Sequence, residues 1–384
     1  MRILIISKCP THPTDAGNRA GILAQSQIMK QLGNEIFFLY IDERGLKGCQ
    51  ESYERDLRET KQYWGNHFFY LRISKLEKAW YNVMKRMNIC FHRGYQSCDV
   101  NYPHALTALV NKLDAEYHFD ICIVNYYYLT KLFEHIKIPK KAIFTHDCIA
   151  YKDLVVGEKT MTIDANTEAK AMQRSPYIFA VQDMECNYFQ LLSPLSKVYN
   201  IYCKYDYHPS PIKGNHKIVF LSGQNGYNVN GIRWFLKDVF PLIRQRFADA
   251  ECVIAGGICR VLGKAKLAEG VKLLGYVESP ASLYNQGDVA INPTYQGTGL
   301  KIKTFEAVSY DKVTMVHPHS MKGVFDANNA SLFYSEKPEE WVDFLVKLWD
   351  TKEIGIEDVK KKNKAYMKRM NDFIISEYKR FLKD

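Results

Sequence analysis

The chain has 384 residues, enough for two domains and a large buried core without disulfide or metal staples. Hydrophobic residues make up 47% and charged residues 24%, which excludes a disordered or fibrous chain, and no apolar run approaches the roughly 20 residues of a membrane span. Lys and Arg exceed Asp and Glu by 52 to 42, a formal charge of +10 that favours anionic partners such as phosphates, nucleic acid or an acidic membrane face. The ten cysteines include no CxxC pair. Cys90, His92 and Cys98 come nearest to a metal cluster, but their spacing fits no common zinc pattern, so no metal site is expected. Free thiols on this scale predict a reducing cytoplasmic setting. Ile3 to Ile6 is apolar, but Lys8, Pro10 and Pro13 cut it short of a secretory signal.

In chain order, Arg2 to Ser7 is a continuous apolar run and reads as a buried parallel strand. A proline- and glycine-bearing loop follows. Asn18 to Leu32 then reads as a helix, with Ala20, Ala24, Ile28 and Leu32 on one face and Gly33 as its stop. Glu35 to Ile41 is the next strand, completing a βαβ opening. The loop lacks a GxGxxG fingerprint, yet Gly17 stands where a helix start can face a ligand phosphate. Arg72 to Arg93 mixes Arg72, Lys75, Lys78, Lys85, Arg86 and Arg93 with Leu76, Trp80, Tyr81, Val83, Met84 and Met87. Two readings stand for it: a basic amphipathic helix for an interface, or a core helix with a solvated charged face. Strands are expected at Phe119–Asn125, Lys141–Phe144 and Tyr177–Val181, with helices at Leu106–Leu113, Thr167–Arg174 and Cys186–Leu192. The strand at Lys141–Phe144 runs into Thr145-His146-Asp147, polar groups at a carboxyl edge, where ligands bind in open α/β sheets.

Tyr202 to His216 is polar and aperiodic, and the domain boundary is expected there, giving domains 1–202 and 203–384, with the last helix packing back on the first. The alternation then restarts. Lys217–Leu221 is a strand ending near Gly223, and the helix after it carries Ile232, Phe235, Val239, Leu242, Ile243 and Phe247 on one face. Short apolar strands follow at Cys252–Ala255, Val271–Leu274, Val289–Asn292, Val313–Val316 and Leu332–Tyr334. Two similar alternations predict an α/β protein of two doubly wound Rossmann-like domains facing a central cleft. The final helix carries Lys360, Lys361, Lys362, Lys364, Lys368 and Arg369, a solvated basic surface at the least.

The most informative stretch is DVAINPTYQGTGLKIKTFEAVSY, Asp288 to Tyr310. A strand breaks at Pro293, passes through Gly297 and Gly299, and enters a helix near Lys301. Glycines allow positive φ and close ligand approach, and the helix start points N–H groups and dipole into the loop. Lys301 and Lys303 add full charge, and Glu306 lies on the same helix side as Lys303. This suits a phosphate-bearing ligand whose sugar hydroxyls donate to a carboxylate. The simpler alternative is a tight turn with a surface Lys303–Glu306 pair.

With GTGLKIKTFEA in this order, preceded by FLSGQNGYNVNGIRWFLKDVFPLI and VIAGG and followed by KVTMVHP, the chain resembles the retaining glycosyltransferases of family 4, which have the GT-B fold. RILIISKCPTHPTDAGNRAG and the strand end FTHD extend the likeness to the first half. The resemblance implies a metal-independent retaining hexosyltransferase that takes its sugar from a UDP- or GDP-sugar and uses no other cofactor. The acceptor would be a glycan or lipid-linked molecule, in surface polysaccharide or glycoconjugate synthesis, with no nucleic acid, and the basic stretch from Arg72 to Arg93 adds an expected peripheral contact with an anionic inner membrane face. By the same resemblance, Gly17 lies against the donor diphosphate and His146 contacts the donor sugar. Asn18, Arg19 and Asp147 beside them fall on the acceptor side. Gly223 opens the phosphate loop. Gly297, Thr298, Gly299 and Leu300 line the donor. Lys301 or Lys303 binds the diphosphate, and Glu306 holds the ribose hydroxyls as the second glutamate of the family's E-x7-E motif. Eight positions before it stands Thr298, and Gln296 precedes the GTG run where many members carry the first glutamate. Two other classes stand as alternatives: a sugar-nucleotide epimerase of the same architecture, and a catalytically degenerate basic protein binding membrane or nucleic acid.

Overall fold

A computed structural model describes residues 1–14, 17–43, 50–91, 94–156, 163–264 and 266–384. The chain divides into two compact units, Met1–Cys203 with Ile374–Asp384, and Lys204–Phe373.

The first unit is built on a seven-stranded parallel sheet in the order β3-β2-β1-β4-β5-β6-β7. Its strands are β1 (Arg2–Ser7), β2 (Glu35–Asp42), β3 (Phe68–Arg72), β4 (Ile121–Asn125), β5 (Lys140–Phe144), β6 (Tyr177–Ala180) and β7 (Lys197–Asn200). Its helices are α1 (Gly17–Gln31), α2 (Gln50–Trp64), α3 (Lys75–Phe91), α4 (Leu106–Tyr117), α5 (Ile149–Val156), α6 (Ala165–Gln173) and α7 (Asp183–Leu192). The central strands are apolar throughout because both faces are covered. Ile5 lies between Phe38 and Ile123 in register, and Ile3 to Ile6 are fully buried. The Tyr177–Ala180 strand also packs against the C-terminal residues of this unit: the Phe179 and Phe381 rings are 4.7 Å apart, edge to face.

The second unit has a six-stranded parallel sheet in the order β10-β9-β8-β11-β12-β13. Its strands are β8 (Lys217–Leu221), β9 (Glu251–Ala255), β10 (Val271–Gly275), β11 (Val289–Asn292), β12 (Val313–Val316) and β13 (Leu332–Tyr334). Its helices are α8 (Gly226–Trp234), α9 (Phe240–Arg246), α10 (Cys259–Leu262), α11 (Pro280–Tyr284), α12 (Ile302–Ser309) and α13 (Pro338–Leu345). A π-type turn, Phe235–Val239, joins α8 to α9. Of the predicted apolar face, Ile232, Phe235, Val239, Ile243 and Phe247 enter the core, whereas Leu242 is only half-buried and lies outside it. The last helix, α14 (Ile356–Lys383), begins in this unit. Among its basic residues, Lys368 pairs with Asp372 and Arg369 with Asp326, as on a solvated face.

In each sheet the strand order reverses beside the first strand, between β1 and β4 and between β8 and β11. Crevices outside the carboxyl ends at such points bind ligands. The loops after β1, β4 and β5 meet at one of them, and the loops after β8 and β11 at the other. Among the described residues, no helix is long and apolar enough to cross a membrane.

Candidate active site

In the second unit, the loop from Pro293 to Leu300 leaves β11 and enters α12. Gly297 takes φ 91°, and a Cβ there would lie 3.2 Å from the Tyr227 ring. The loop is held from three sides. His319, in the turn after β12, donates from Nε2 to the Gly297 carbonyl at 2.7 Å, and Ser320 Oγ donates to the Thr294 carbonyl at 2.7 Å. From α8, Asn230 Nδ2 donates to Gln296 Oε1 at 3.1 Å. Lys301 folds back, its Nζ donating to the Gly299 carbonyl at 2.7 Å and the Gly297 carbonyl at 3.3 Å. Gln296, at the place of the expected first glutamate, is thus tied to α8.

Lys301 and Lys303 therefore differ. Lys301 secures its own loop. Lys303 sits half-buried beside Glu306 without closing to ion-pair distance, and burial lowers its pKa. Burial raises the pKa of Glu306, whose Oε2 accepts from the Tyr284 hydroxyl at 3.4 Å. The simple surface pair is excluded, because neither side chain is exposed. Two opposite, partly desolvated charges stand at the start of a helix, each with capacity for a further partner. A phosphate oxygen suits the ammonium, and hydroxyl donors suit the carboxylate.

Gly223 follows β8 with open space where a Cβ would stand. Beyond it Asn225 caps α8, its side chain accepting from the Asn228 N–H at 2.9 Å. Gly256, at the end of β9, has φ 94°, and a Cβ there would be 2.4 Å from the Ser222 carbonyl. That glycine sets the strand end against the phosphate-loop candidate.

In the first unit, His146 lies just past β5 with φ 64°, a left-handed conformation that a non-glycine residue holds only when its surroundings fix it. Its ring stacks on Tyr126 at 4.5 Å and tilts against Phe144 at 4.2 Å. Nε2 is 2.8 Å from Asn125 Oδ1. Asn125 Nδ2 donates to the Ile6 carbonyl at 3.1 Å, so its carbonyl end faces the imidazole and Nε2 carries the proton. Nδ1 is left as an acceptor. Burial lowers the pKa to about 3, so the ring is neutral.

Gly17 begins α1 and is exposed. Asn18 beside it donates to Tyr126 Oη at 3.3 Å and to Cys9 Sγ at 3.1 Å. Arg19 points away: it pairs with buried Asp56 of α2 at 2.8 Å and reaches the Pro13 carbonyl at 3.3 Å. Asp147 caps the residue after it and pairs with Lys152 at 2.9 Å. Both charges are engaged within the fold. Of the weak metal candidates, Cys90 is exposed, Cys98 is buried, and His92 lies outside the described residues.

Tyr227, Asn230, Tyr284 and His319 were not anticipated. His317-Pro318-His319 follows a strand end just as His146 does, so the carboxyl-edge argument could have found it. Tyr284 meets Glu306 only through tertiary packing, and no local pattern marks it.

Residues 215–351 match the family model described as glycosyl transferases group 1. The match falls within the second unit and spans β8 to α13. One curated relative, described as an uncharacterized 44.6 kDa protein in cps region of Klebsiella pneumoniae, is 20% identical over 339 residues, 80% of each chain. Among solved structures, sucrose-phosphate synthase from Thermosynechococcus elongatus aligns over 100% of this chain and 98% of its own, with a TM-score of 0.69 and 11% identity. TarM aligns over 100% and 98%, with a TM-score of 0.67 and 11% identity. Anabaena HepE in complex with UDP-glucose aligns over 100% of both chains, with a TM-score of 0.64 and 12% identity. The fold is GT-B.

Proposed function

We propose that this protein is a retaining glycosyltransferase of family 4 that moves a hexosyl group from a UDP- or GDP-sugar to a glycan or lipid-linked acceptor in the cytoplasm. The observation that carries the reading is the half-buried Lys303–Glu306 pair behind a braced glycine loop, inside the matched group 1 domain. HepE with UDP-glucose and the pneumococcal O-GlcNAc transferase GtfA with UDP and GlcNAc supply the donor class by analogy. The cps-region relative supports a role in surface polysaccharide synthesis.

In this reading Glu306 accepts from the ribose hydroxyls. Lys303 and the positive dipole end of α12 face the diphosphate, with Gly223 and Gly297 leaving it room. Gly17, exposed at the start of α1, keeps the diphosphate contact that the family resemblance implies. His146 accepts a donor-sugar hydroxyl at Nδ1. In the transfer step the bond from the anomeric carbon to the diphosphate breaks, and its electron pair leaves on the phosphate oxygen. The acceptor oxygen bonds to the same face of that carbon, and its proton passes to the departing phosphate oxygen. Developing charge is stabilised by fixed donors, the largest contribution in such sites. No general-base carboxylate is then required. Asn18 remains a candidate acceptor contact, whereas Arg19 and Asp147 brace the loops.

A thermal-shift screen of UDP-, GDP- and ADP-sugars tests this, followed by NMR of the product's anomeric configuration. Stabilisation by a nucleotide sugar and a product with retained configuration support the reading. Interconversion of donor sugars without transfer, or no nucleotide binding, sinks it.

A further inference from the structure

Helix α3 carries an apolar row that the fold leaves uncovered. Leu76 is 84% exposed, Trp80 52%, Val83 48%, Met87 47% and Phe91 78%. Their spacing of four, three, four and four residues sets them on one stripe about 80° wide at roughly 100° per residue. The face toward the core is pinned by Tyr81, 5% exposed, about 140° round from Leu76 on the same wheel. Its hydroxyl donates to Glu77 Oε1 at 2.5 Å and to the Tyr102 carbonyl at 3.1 Å, while Lys78 donates to the Glu43 carbonyl. The stripe therefore points outward. Of the two sequence readings, the core helix with a solvated charged face does not hold for this row, because its apolar side faces solvent.

We propose that α3 docks the protein on an anionic lipid surface, lying flat with the Leu76–Phe91 row at the headgroup–acyl boundary. Single exposed apolar residues are ordinary, but five in one row on one helix are not. Charge selects the occupant. The helix has four basic side chains, Lys75, Lys78, Lys85 and Arg86, against the single carboxylate Glu77, which is held by Tyr81. Lys75 and Arg86 are exposed and lie along one edge of the stripe, with exposed Arg72 just before the helix. Lys85 is half-buried on the opposite side, and Arg93 lies outside the described residues. A basic edge beside an apolar face with Trp and Phe is the form of an interfacial helix. A second protein copy fits less well. Like charges would meet, and one row of five side chains falls short of the roughly 20–30 residues a side of a standard interface. The inference stands independently of the transferase reading.

The test is co-sedimentation of the full chain with phosphatidylglycerol-containing and phosphatidylcholine-only vesicles, at low and high salt. The parent should bind the anionic vesicles at low salt and release at high salt. A Leu76→Ser, Trp80→Ser, Met87→Ser triple variant should bind them about tenfold more weakly or less. A Lys75→Glu, Arg86→Glu variant should lose the preference for anionic lipid. These sites are exposed, so thermal unfolding should match the parent. A parent that ignores anionic vesicles at low salt overturns the proposal, as does a triple variant that binds like the parent. Sedimentation velocity showing parent dimers that the triple variant lacks, with vesicle binding unchanged, gives the face to a second copy and overturns it too.

Discussion

Glu306 and Lys303 are both pushed toward their neutral forms by burial, in opposite directions on the pH scale. Ionised Glu306 accepts a ribose hydroxyl more strongly than the protonated acid, which keeps only a neutral carbonyl acceptor. Donor affinity should therefore fall as pH drops through a carboxyl pKa above the usual range. Glu306→Gln should flatten that dependence, and Glu306→Ala should weaken donor binding by about 1.5–3 kcal/mol, roughly 10- to 150-fold. Isothermal titration with the best nucleotide sugar from pH 5 to 8 reads both. Parent-like binding by Glu306→Ala would leave Glu306 as a partner of Tyr284 alone. His146 makes a different case. Its ring is fixed by stacking, its tautomer by Asn125, and its pKa at about 3 by burial. His146→Phe keeps the stacking and removes the acceptor, so kcat should drop about tenfold with the fold intact, the size of one lost hydrogen bond. The linkage sign follows from the depressed pKa. Below about pH 6.5 the unfolded chain takes up a proton that the folded ring refuses, so this residue subtracts stability as pH falls toward 3. In a urea titration from pH 7 to 5, His146→Phe should lose less stability than the parent.

At the scale of elements, α8 lies unusually close to the loop after β11. A Cβ on Gly231 would meet the Pro293 carbonyl oxygen at 2.7 Å. In an open helix, glycine to alanine gains about 0.5–1 kcal/mol. Here backbone must move, so Gly231→Ala should instead destabilise by about 1–3 kcal/mol and weaken donor binding with it. A raised melting temperature would show that the approach is loose. The same elements show what was readable in advance. Strands β1, β8, β11, β12 and β13 are short apolar runs with punctuated ends, and their limits could be read from residue type alone. β3 was missed because FFYLR is an edge strand, half-exposed on both sides, within a charged region. β7 was missed because KVYN is short and adjoins the polar linker. At the site, the glycine loop and the helix after it were legible. The division of labour between Lys301 and Lys303 was not, because it depends on where the first helical turn begins. Nor was the brace from His319, which arrives from the next strand.

The whole molecule carries a charge of +10, and its expected donor is a dianion. Attraction of this kind acts at range and speeds encounter. It is screened as the Debye length falls from about 14 Å at 0.05 M salt to about 4 Å at 0.5 M. The half-buried Lys303 beside a bound diphosphate is screened far less. Raising salt should therefore lower kcat/KM for the donor several-fold while kcat changes little. Chelation separates this from a divalent cation supplying the charge. The sequence has no DxD, and Lys303 with the start of α12 can supply positive charge, so excess EDTA at fixed ionic strength should leave kcat and the salt slope as they were. Loss of kcat on chelation, restored by manganese or magnesium, would show that a metal neutralises the leaving diphosphate and that Lys303 only assists. A kcat that falls with salt as steeply as kcat/KM would move the critical contact from the site to the exposed surface.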